Sequence, residues 1–275
     1  MPKILNIIII IYNIKLEESA SFKASFERIN ELSITIVDNT TIEEIRLHNK
    51  NAAEKYGVSY LTKSKNIGLS KGYNLAIDSI KKNSPETKWI ITLDQDTLLN
   101  KAYFQEVQEK INNTDEISLY YPTAASDIGI ISPVLINKYY IKNIHEFTYE
   151  NHNLVFINSG LLMNIMLFER IKYDESLFLD MIDYDLVCQL IKNKLINKIS
   201  NMKCTIKQDF SGANFSAFEC DYSRFKLYVS DFKTFSKKWK VSTCYTFYIL
   251  LKRAVKLMVH YKSLKFLFEI GRIHQ

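Results

Sequence analysis

Nine residues near the N-terminus, Ile4 to Tyr12, are apolar except for Asn6. A run of that length and character is what a strand buried on both faces produces, and such strands belong to the middle of a parallel sheet. It is too short to cross a bilayer and lacks a basic leader, so it is expected to be neither a membrane span nor a signal peptide. Glu17 to Leu32 reads as a helix with Phe22, Phe26 and Ile29 on one stripe, and Ser33 to Val37 as a second strand. Thr41 to Tyr56 reads as a helix and Val58 to Leu61 as a short third strand. A polar loop, Asn66 to Gly72, leads into a helix over Tyr73 to Lys81, and Lys88 to Leu93 is the fourth strand. The alternation βαβαβαβ predicts a parallel sheet flanked by helices. Its strands end at Asn13, Asp38, about Thr62 and Asp94. These polar residues should share the sheet edge at which open α/β folds bind ligands.

The second half is less regular. Ile128 to Ile131 and Leu154 to Ile157 read as strands, separated by a polar, aromatic stretch without a clear period. Ile182 to Leu195 reads as a helix with Ile182, Leu186, Val187, Leu190 and Ile191 apolar. At 275 residues, 47% hydrophobic and 24% charged, the chain is globular, with one large domain or two small ones. Seven Gly and four Pro leave no long flexible linker. Cys188, Cys204, Cys220 and Cys244 are widely spaced with no CxxC pair. That argues against a zinc site or a disulfide framework and for a reducing compartment.

The net charge of +6 is uneven. From Lys237 onward there are nine Lys/Arg and one acid, Glu269, a local charge of +8, so the preceding part carries −2. Tyr245 to Ile273 mixes Lys252, Arg253, Lys256, Lys262, Lys265 and Arg272 with apolar residues, and Tyr248, Leu251, Val255, Met258 and Lys262 recur near helical spacing. Such a segment suits an anionic membrane surface. It equally suits a tail that packs on the rest of the chain or on a second copy. No recognition motif accompanies the charge, so nucleic acid is not an expected partner.

The chemistry concentrates at Trp89-Ile90-Ile91-Thr92-Leu93-Asp94-Gln95-Asp96-Thr97. In an extended backbone residues i and i+2 point to one side. Asp94 and Asp96 could then face one hard cation and the phosphates it carries. An Asp pair after a strand can also be an ordinary solvated turn, so the neighbouring motifs decide.

Four segments fall into one order: Ile9-Ile10-Ile11-Tyr12-Asn13, Ile36-Val37-Asp38-Asn39, Asn66-Ile67-Gly68 with Asn74, and Leu93-Asp94-Gln95-Asp96. Together they resemble the nucleotide-sugar-binding half of family 2 inverting glycosyltransferases with a GT-A fold, most of all bacterial rhamnosyltransferase-type enzymes. The resemblance implies that Tyr12 and Asn13 line the nucleoside pocket and that Asp38 accepts hydrogen bonds from base or ribose. It implies that Asn66 and Gly68 let the backbone approach the nucleotide, with Lys71 and Asn74 nearby. Asp94 and Gln95 would lie by the ribose or diphosphate. Asp96, with Asp94, would hold Mg²⁺ or Mn²⁺.

Phe156-Ile157-Asn158-Ser159-Gly160, followed by Asp180-Met181-Ile182-Asp183-Tyr184-Asp185, resembles the second half of the same family. By that likeness Asp183 is the catalytic base, while Asn158, Ser159, Gly160 and Asp180 line the acceptor site. Without the family, Asp180 and Asp183 would read as a helix-capping pair. At about 100° per residue Asp180 and Asp183 share a face and Asp185 points nearly away. The chain departs from the family pattern at Gln189, where an Arg is usual, and at Asp209, where a His is frequent. An Arg expected near Tyr228 to Asp231 is also missing; the nearest cations are Arg224 and Lys226.

The expectation is an α/β protein of GT-A fold: a mostly parallel Rossmann-like sheet flanked by helices, with a helical C-terminal tail. Residues 1–235 would form the transferase domain, with 1–100 binding the nucleotide-sugar and 101–235 the acceptor, and 236–275 the basic amphipathic tail. The expected activity is metal-dependent, inverting transfer of a sugar, L-rhamnose by family likeness, from a dTDP- or UDP-sugar to a hydroxyl of a bacterial cell-surface polysaccharide. Its partners would be the nucleotide-sugar, a glycan or lipid-linked glycan acceptor, and a second copy of the chain. The expected place is the cytoplasm, peripheral at the inner face of the membrane through the tail. The alternative is a catalytically degenerate GT-A protein that scaffolds a glycan-assembly complex. A nucleotidyltransferase would want a Gly-rich basic loop after the first strand, and Asn13 to Ala20 has no glycine and only Lys15.

Overall fold

The structure is a computed structural model and describes residues 3–113, 116–127, 129–136, 141–143, 154–208 and 215–272. The first half is β1 (Leu5–Ile11), α1 (Ala20–Phe26), β2 (Ser33–Asp38), α2 (Glu43–Tyr56), β3 (Ser59–Thr62), α3 (Leu69–Asn83) and β4 (Trp89–Asp94). There follow α4 (Lys101–Asn112), β5 (Leu119–Ser126), β6 (Gly129–Ser132), β7 (Val134–Ile136), β8 (Ile141–Asn143), β9 (Leu154–Val155) and β10 (Leu161–Asn164). The chain closes with α5 (Ile182–Lys192), β11 (Ile199–Lys207), α6 (Phe218–Lys238), α7 (Thr243–Tyr261) and α8 (Lys265–Gly271).

The main sheet runs β11-β5-β10-β4-β1-β2-β3, with β6 added to β5, and β7, β8 and β9 form a small second sheet. β1 pairs in parallel with β2 and β4, β2 with β3, and β5 with β11. β10 enters antiparallel between β4 and β5, which the sequence reading did not anticipate. All seven residues of β1 are buried. Ile8 and Ile10 pack in one layer with Tyr73 and Ile77 of α3 and Leu186 and Leu190 of α5. Ile7, Ile9 and Ile11 pack in the other with Phe22, Ala53 and Tyr103 from α1, α2 and α4. That alternation is the two-residue period of a strand covered on both faces.

Several elements differ from expectation for identifiable reasons. The helix expected over Glu17 to Leu32 is broken at Ser19, whose hydroxyl accepts the Phe22 N–H at 3.2 Å and starts α1 afresh. A serine hydroxyl competes for such backbone groups and so favours a cap over a helix interior. α3 starts at Leu69 rather than Tyr73, so the last four residues of the expected Asn66 to Gly72 loop are helix. The strand expected over Leu154 to Ile157 stops at Val155. α5 stops at Lys192, with Asn193 as its cap. Gly129–Ser132 is the strand expected at 128–131, with Ile128 outside the described residues.

The tail helices pack on α6. Phe225, Tyr228, Val229 and Phe232 of α6 meet Leu250, Ala254 and Leu257 of α7 and Phe266 and Ile270 of α8 in a third apolar cluster. The division expected at 235/236 falls inside the last turn of α6. Among the described residues no helix is long and apolar enough to cross a membrane.

Candidate active site

Strand register brings the polar strand ends together. Ile11 lies opposite Asp38, Ile10 opposite Asp94, and Asp38 opposite Thr62. Asn13 follows β1 with φ +52°, a left-handed conformation that Asn tolerates better than most residues. Its Oδ1 accepts the Thr41 N–H at 2.9 Å, and its own N–H donates to Thr40 Oγ1 at 3.0 Å. Gln95 Oε1 accepts the Tyr12 N–H at 2.8 Å, which ties the end of β1 to the turn after β4 and leaves the Tyr12 ring exposed.

Asp38, which the family likeness puts at base or ribose, lies in the interior. It is 0% exposed. Its carboxylate accepts the Thr40 N–H at 2.8 Å, Asn49 Nδ2 at 3.0 Å and the Tyr60 hydroxyl at 2.7 Å. A carboxylate with those donors is a fastener for the loop after β2. Asn39 links that loop to the next, donating to the Gly68 carbonyl at 3.2 Å. Asn66 Oδ1 accepts the Gly68 N–H at 2.9 Å and shapes the turn into α3. Gly68 has φ +81° and ψ 173°, a region essentially reserved for glycine. A Cβ there would lie 2.5 Å from the Phe178 carbonyl oxygen. Leu69 N–H donates to that same oxygen at 2.7 Å. The close approach Gly68 allows is therefore to the Phe178 segment. Asn74 is buried and brackets the same region, donating to the Tyr173 carbonyl at 2.9 Å and to Glu175 at 3.0 Å. Lys71 stays exposed on the first turn of α3.

β4 ends at Asp94 and the chain turns at Gln95 and Asp96. The extended geometry that would put Asp94 and Asp96 on one side therefore stops at Asp94. The Asp94 carboxylate accepts Gln208 Nε2 at 2.9 Å and, more loosely, the Tyr73 hydroxyl at 3.4 Å, while its N–H donates to Ser159 Oγ at 3.0 Å. Burial pushes the Asp94 carboxyl up, and the bonds from Gln208 and Tyr73 oppose the shift. A cation beside this desolvated carboxylate would offset the cost of its charge, and carboxylate oxygen is the ligand that Mg²⁺ and Mn²⁺ prefer. Among the described residues no group of three or more His, Cys, Asp or Glu could hold a metal by itself. The Asp94 carboxylate is a donor of the kind such an ion takes, and phosphate and water would complete the shell.

Asn158, Ser159 and Gly160 form the turn that leads into β10. Asn158 Oδ1 accepts the Tyr173 hydroxyl at 3.2 Å, and its carbonyl accepts Thr92 Oγ1 at 2.6 Å. Ser159 Oγ also bonds Thr97 Oγ1. Gly160 has φ +89°, and a Cβ there would lie 2.6 Å from Ile206 and 2.9 Å from Pro122. All three are buried, and their bonds to Thr92 and Asp94 lock β10 to β4.

α5 starts at Ile182 behind Met181, which has φ +63° and accepts no side-chain cap. Asp180 does not cap α5, whose N-cap is Met181; Arg224 donates to its carboxylate at 2.6 and 3.1 Å. Asp183 sits in the first turn of α5, partly exposed, and accepts the Asn158 N–H at 3.0 Å. Its pKa is pushed up to about 7, first by burial and then by the nearby Asp94 charge, against the lowering bond from Asn158; Asp180 adds a smaller raising effect. Asp185 does point away from these two. It is buried and accepts Trp239 Nε1 at 2.7 Å, Lys238 Nζ at 2.6 Å and Gln189 Nε2 at 2.7 Å. Gln189, at the position where the family carries Arg, also donates to the Lys172 carbonyl at 2.8 Å. Asp209 lies outside the described residues.

Three residues that sequence reasoning passed over organise this region. The buried Asp231 accepts the N–H groups of Phe178, Leu179 and Asp180 at 3.0, 2.8 and 2.8 Å and so sets the approach to Asp183. Gln208 and Tyr73 hold Asp94. None carries a local motif; Asp231 was visible only as an acid on an otherwise apolar helix face. Met181 and Tyr184, near Asp183 in the chain, line an apolar cavity of about 330 Å³ with Tyr228, Phe232 and Tyr245.

This sheet with its β10 insertion and one acidic edge is the GT-A glycosyltransferase fold. The profile of Glycosyl transferase family 2 matches residues 6–170, more than half of the chain, and the protein belongs to that family. S. aureus TarS 1-349 superimposes with a TM-score of 0.54 at 16% identity, covering 84% of this chain and 65% of that one. Mannosyl-3-phosphoglycerate synthase from Rubrobacter xylanophilus gives a TM-score of 0.55 at 10% identity, covering 87% and 75%. The mannosyltransferase PcManGT from Pyrobaculum calidifontis, in complex with GDP-Man and Mn²⁺, gives 0.53 at 9% identity, covering 86% and 65%. The chain thus spans just under two thirds of the TarS fragment. Likeness at these identities is one of fold. No curated protein matches the sequence significantly.

Proposed function

We propose that this protein is an inverting glycosyltransferase that moves a sugar from a nucleotide-sugar to a hydroxyl of a bacterial cell-surface polysaccharide. The observation that carries the reading is Asp183: a carboxylate in the first turn of α5, partly exposed, bonded by the Asn158 N–H, close enough to feel the Asp94 charge and shifted to about 7. In its ionised form it takes the proton from the acceptor hydroxyl as that oxygen attacks the anomeric carbon. A base whose pKa lies near the working pH suits this role, and such catalysis is worth roughly 10²–10⁴-fold.

Tyr12, Asn13, Asn66, Lys71 and Gln95 surround the donor, while Asp38, Gly68 and Asn74 support it by holding the loops in shape. Asp94 and Asp96 would hold Mg²⁺ or Mn²⁺, which supplies neutralisation of the charge on the departing diphosphate. Asn158, Ser159 and Gly160 set the floor of the acceptor side through the backbone, and Asp180 is steadied there by Arg224. The apolar cavity beside Asp183 supports an acceptor with an apolar part, such as a lipid-linked glycan. UDP and dTDP are the proposed donor nucleotides and L-rhamnose the first sugar to try. The protein would work peripherally at the inner face of the cell membrane.

Titration calorimetry with UDP and dTDP, each with Mn²⁺ and with EDTA, tests the donor site. One nucleotide binds in Mn²⁺ and not in EDTA, and Asp96→Ala removes the difference. Binding of neither nucleotide under either condition overturns the UDP and dTDP assignment and favours the scaffold alternative or a donor with a different nucleotide.

A further inference from the structure

α7 has two apolar faces. Leu250, Ala254 and Leu257 are buried against α6, and Thr246 is buried on the same side of the helix. At 100° per residue, Tyr248, Lys252, Val255 and Val259 lie within about 40° of the opposite side. Tyr248 is 58% exposed and Val259 67%. Phe247 is exposed beside this stripe, and Leu264 and Phe268 are exposed on the following turn and α8. The residues between them are basic. Lys252, Lys256, Lys262 and Lys265 are all exposed, and α7 contains no acid. The one acid of α8, Glu269, is 0% exposed and lies against Tyr222 and Arg272. Single exposed apolar residues are ordinary, but a ladder of them interleaved with lysines and free of acids is not.

We propose that the outer face of α7, continued by Leu264 and Phe268, docks on an anionic lipid bilayer. The charge selects this occupant. Apolar side chains interleaved with lysines, on a helix that carries no acid of its own, suit insertion at the headgroup boundary of a membrane carrying negative lipid. Pairing two copies through this face would bring lysines together. Delivery of a lipid-borne acceptor to Asp183 by this contact rests on the transferase reading; the lipid contact itself does not.

Co-sedimentation of the full chain with vesicles of 30% phosphatidylglycerol in phosphatidylcholine, against pure phosphatidylcholine, tests it. The protein binds the anionic vesicles, and 0.5 M NaCl releases it. Lys252→Ala with Lys256→Ala weakens binding by roughly 30-fold, and Val259→Glu by at least tenfold. Both variants alter exposed side chains, and unchanged circular dichroism and nucleotide binding show that they fold. Wild-type protein that stays in the supernatant overturns the proposal, as does binding that neither variant weakens. A dimer that Val259→Glu splits, with no vesicle binding, overturns it in favour of self-association. Failure to bind vesicles with nucleotide binding intact sinks the docking face alone; the reverse result sinks the transferase reading alone.

Discussion

Asp38 and Asp94 end parallel strands on either side of β1, at the same sheet edge and after the same kind of apolar run. Their surroundings differ completely. Around Asp38 the chain supplies a turn amide, Asn49 and Tyr60, and no surface remains. Around Asp94 the described residues supply one firm donor, Gln208, and one long one, Tyr73, and leave part of the residue open. The same contrast repeats in the second half. Asp185 and Asp231 are filled by internal donors, whereas among the described residues Asp183 receives a single amide. Acids that the fold saturates hold loops; acids it leaves short of donors can act on a ligand. What separates the two kinds is the number of donors that distant elements bring.

The sharpest way to break this contrast is at its reactive end. Asp183→Asn should lower turnover by roughly 10²–10⁴-fold, read as release of nucleoside diphosphate, with nucleotide affinity nearly unchanged. Wild-type turnover should climb as pH rises through about 7, because the base must be ionised. Stability should move the opposite way. Between 3.8 and about 7 the native Asp183 keeps a proton that the unfolded chain has lost, so this group's contribution falls as pH rises. Asp183→Asn should therefore flatten the fall and raise Tm at pH 8. An unchanged pH profile of Tm would remove Asp183 from the set of under-supplied acids.

At the saturated end, Asp38→Ala strands Asn49, Tyr60 and the Thr40 amide. Urea unfolding should show a loss of about 3 kcal/mol or more, while the fraction still folded keeps its nucleotide affinity. A selective loss of nucleotide affinity at unchanged stability would return Asp38 to the ligand. The smallest effect concerns the seam between the two halves. Gly68→Ala must hold a non-glycine residue at φ +81° and push against Phe178, and should cost about 2 kcal/mol by the same measurement. Because Phe178 precedes Asp183 by five residues, it should also lower turnover, which a substitution at the open Gly57 should not.

The fold was most legible where one strand is followed by one helix. Ile4 to Tyr12, Ser33 to Val37 and Lys88 to Leu93 sit within a residue of β1, β2 and β4, because central parallel strands leave long apolar runs. Legibility failed where a partner came from far along the chain. Nothing near Leu161 to Asn164 announces an antiparallel strand between β4 and β5. Nothing near Asp38 announces Tyr60 as its donor, and Gly68 reads locally as a flexible loop residue although its constraint comes from Phe178. The motif residues could be picked out by order and spacing. Whether each faces a ligand or the interior depends on contacts up to 114 residues apart, as between Gln208 and Asp94.

The place of β10 has a consequence for the order in which the chain can complete itself. Until Leu161–Asn164 arrives, β4 is the bare edge of a sheet, and it presents Trp89, Ile90, Ile91 and Leu93 with their backbone groups unpaired. An apolar open edge of this kind templates association between chains. A nascent chain on the ribosome would carry that edge through the synthesis of about 65 further residues, several seconds at ordinary elongation rates. A fragment cut at Asn100 would carry it permanently, and should precipitate where the full chain stays in solution.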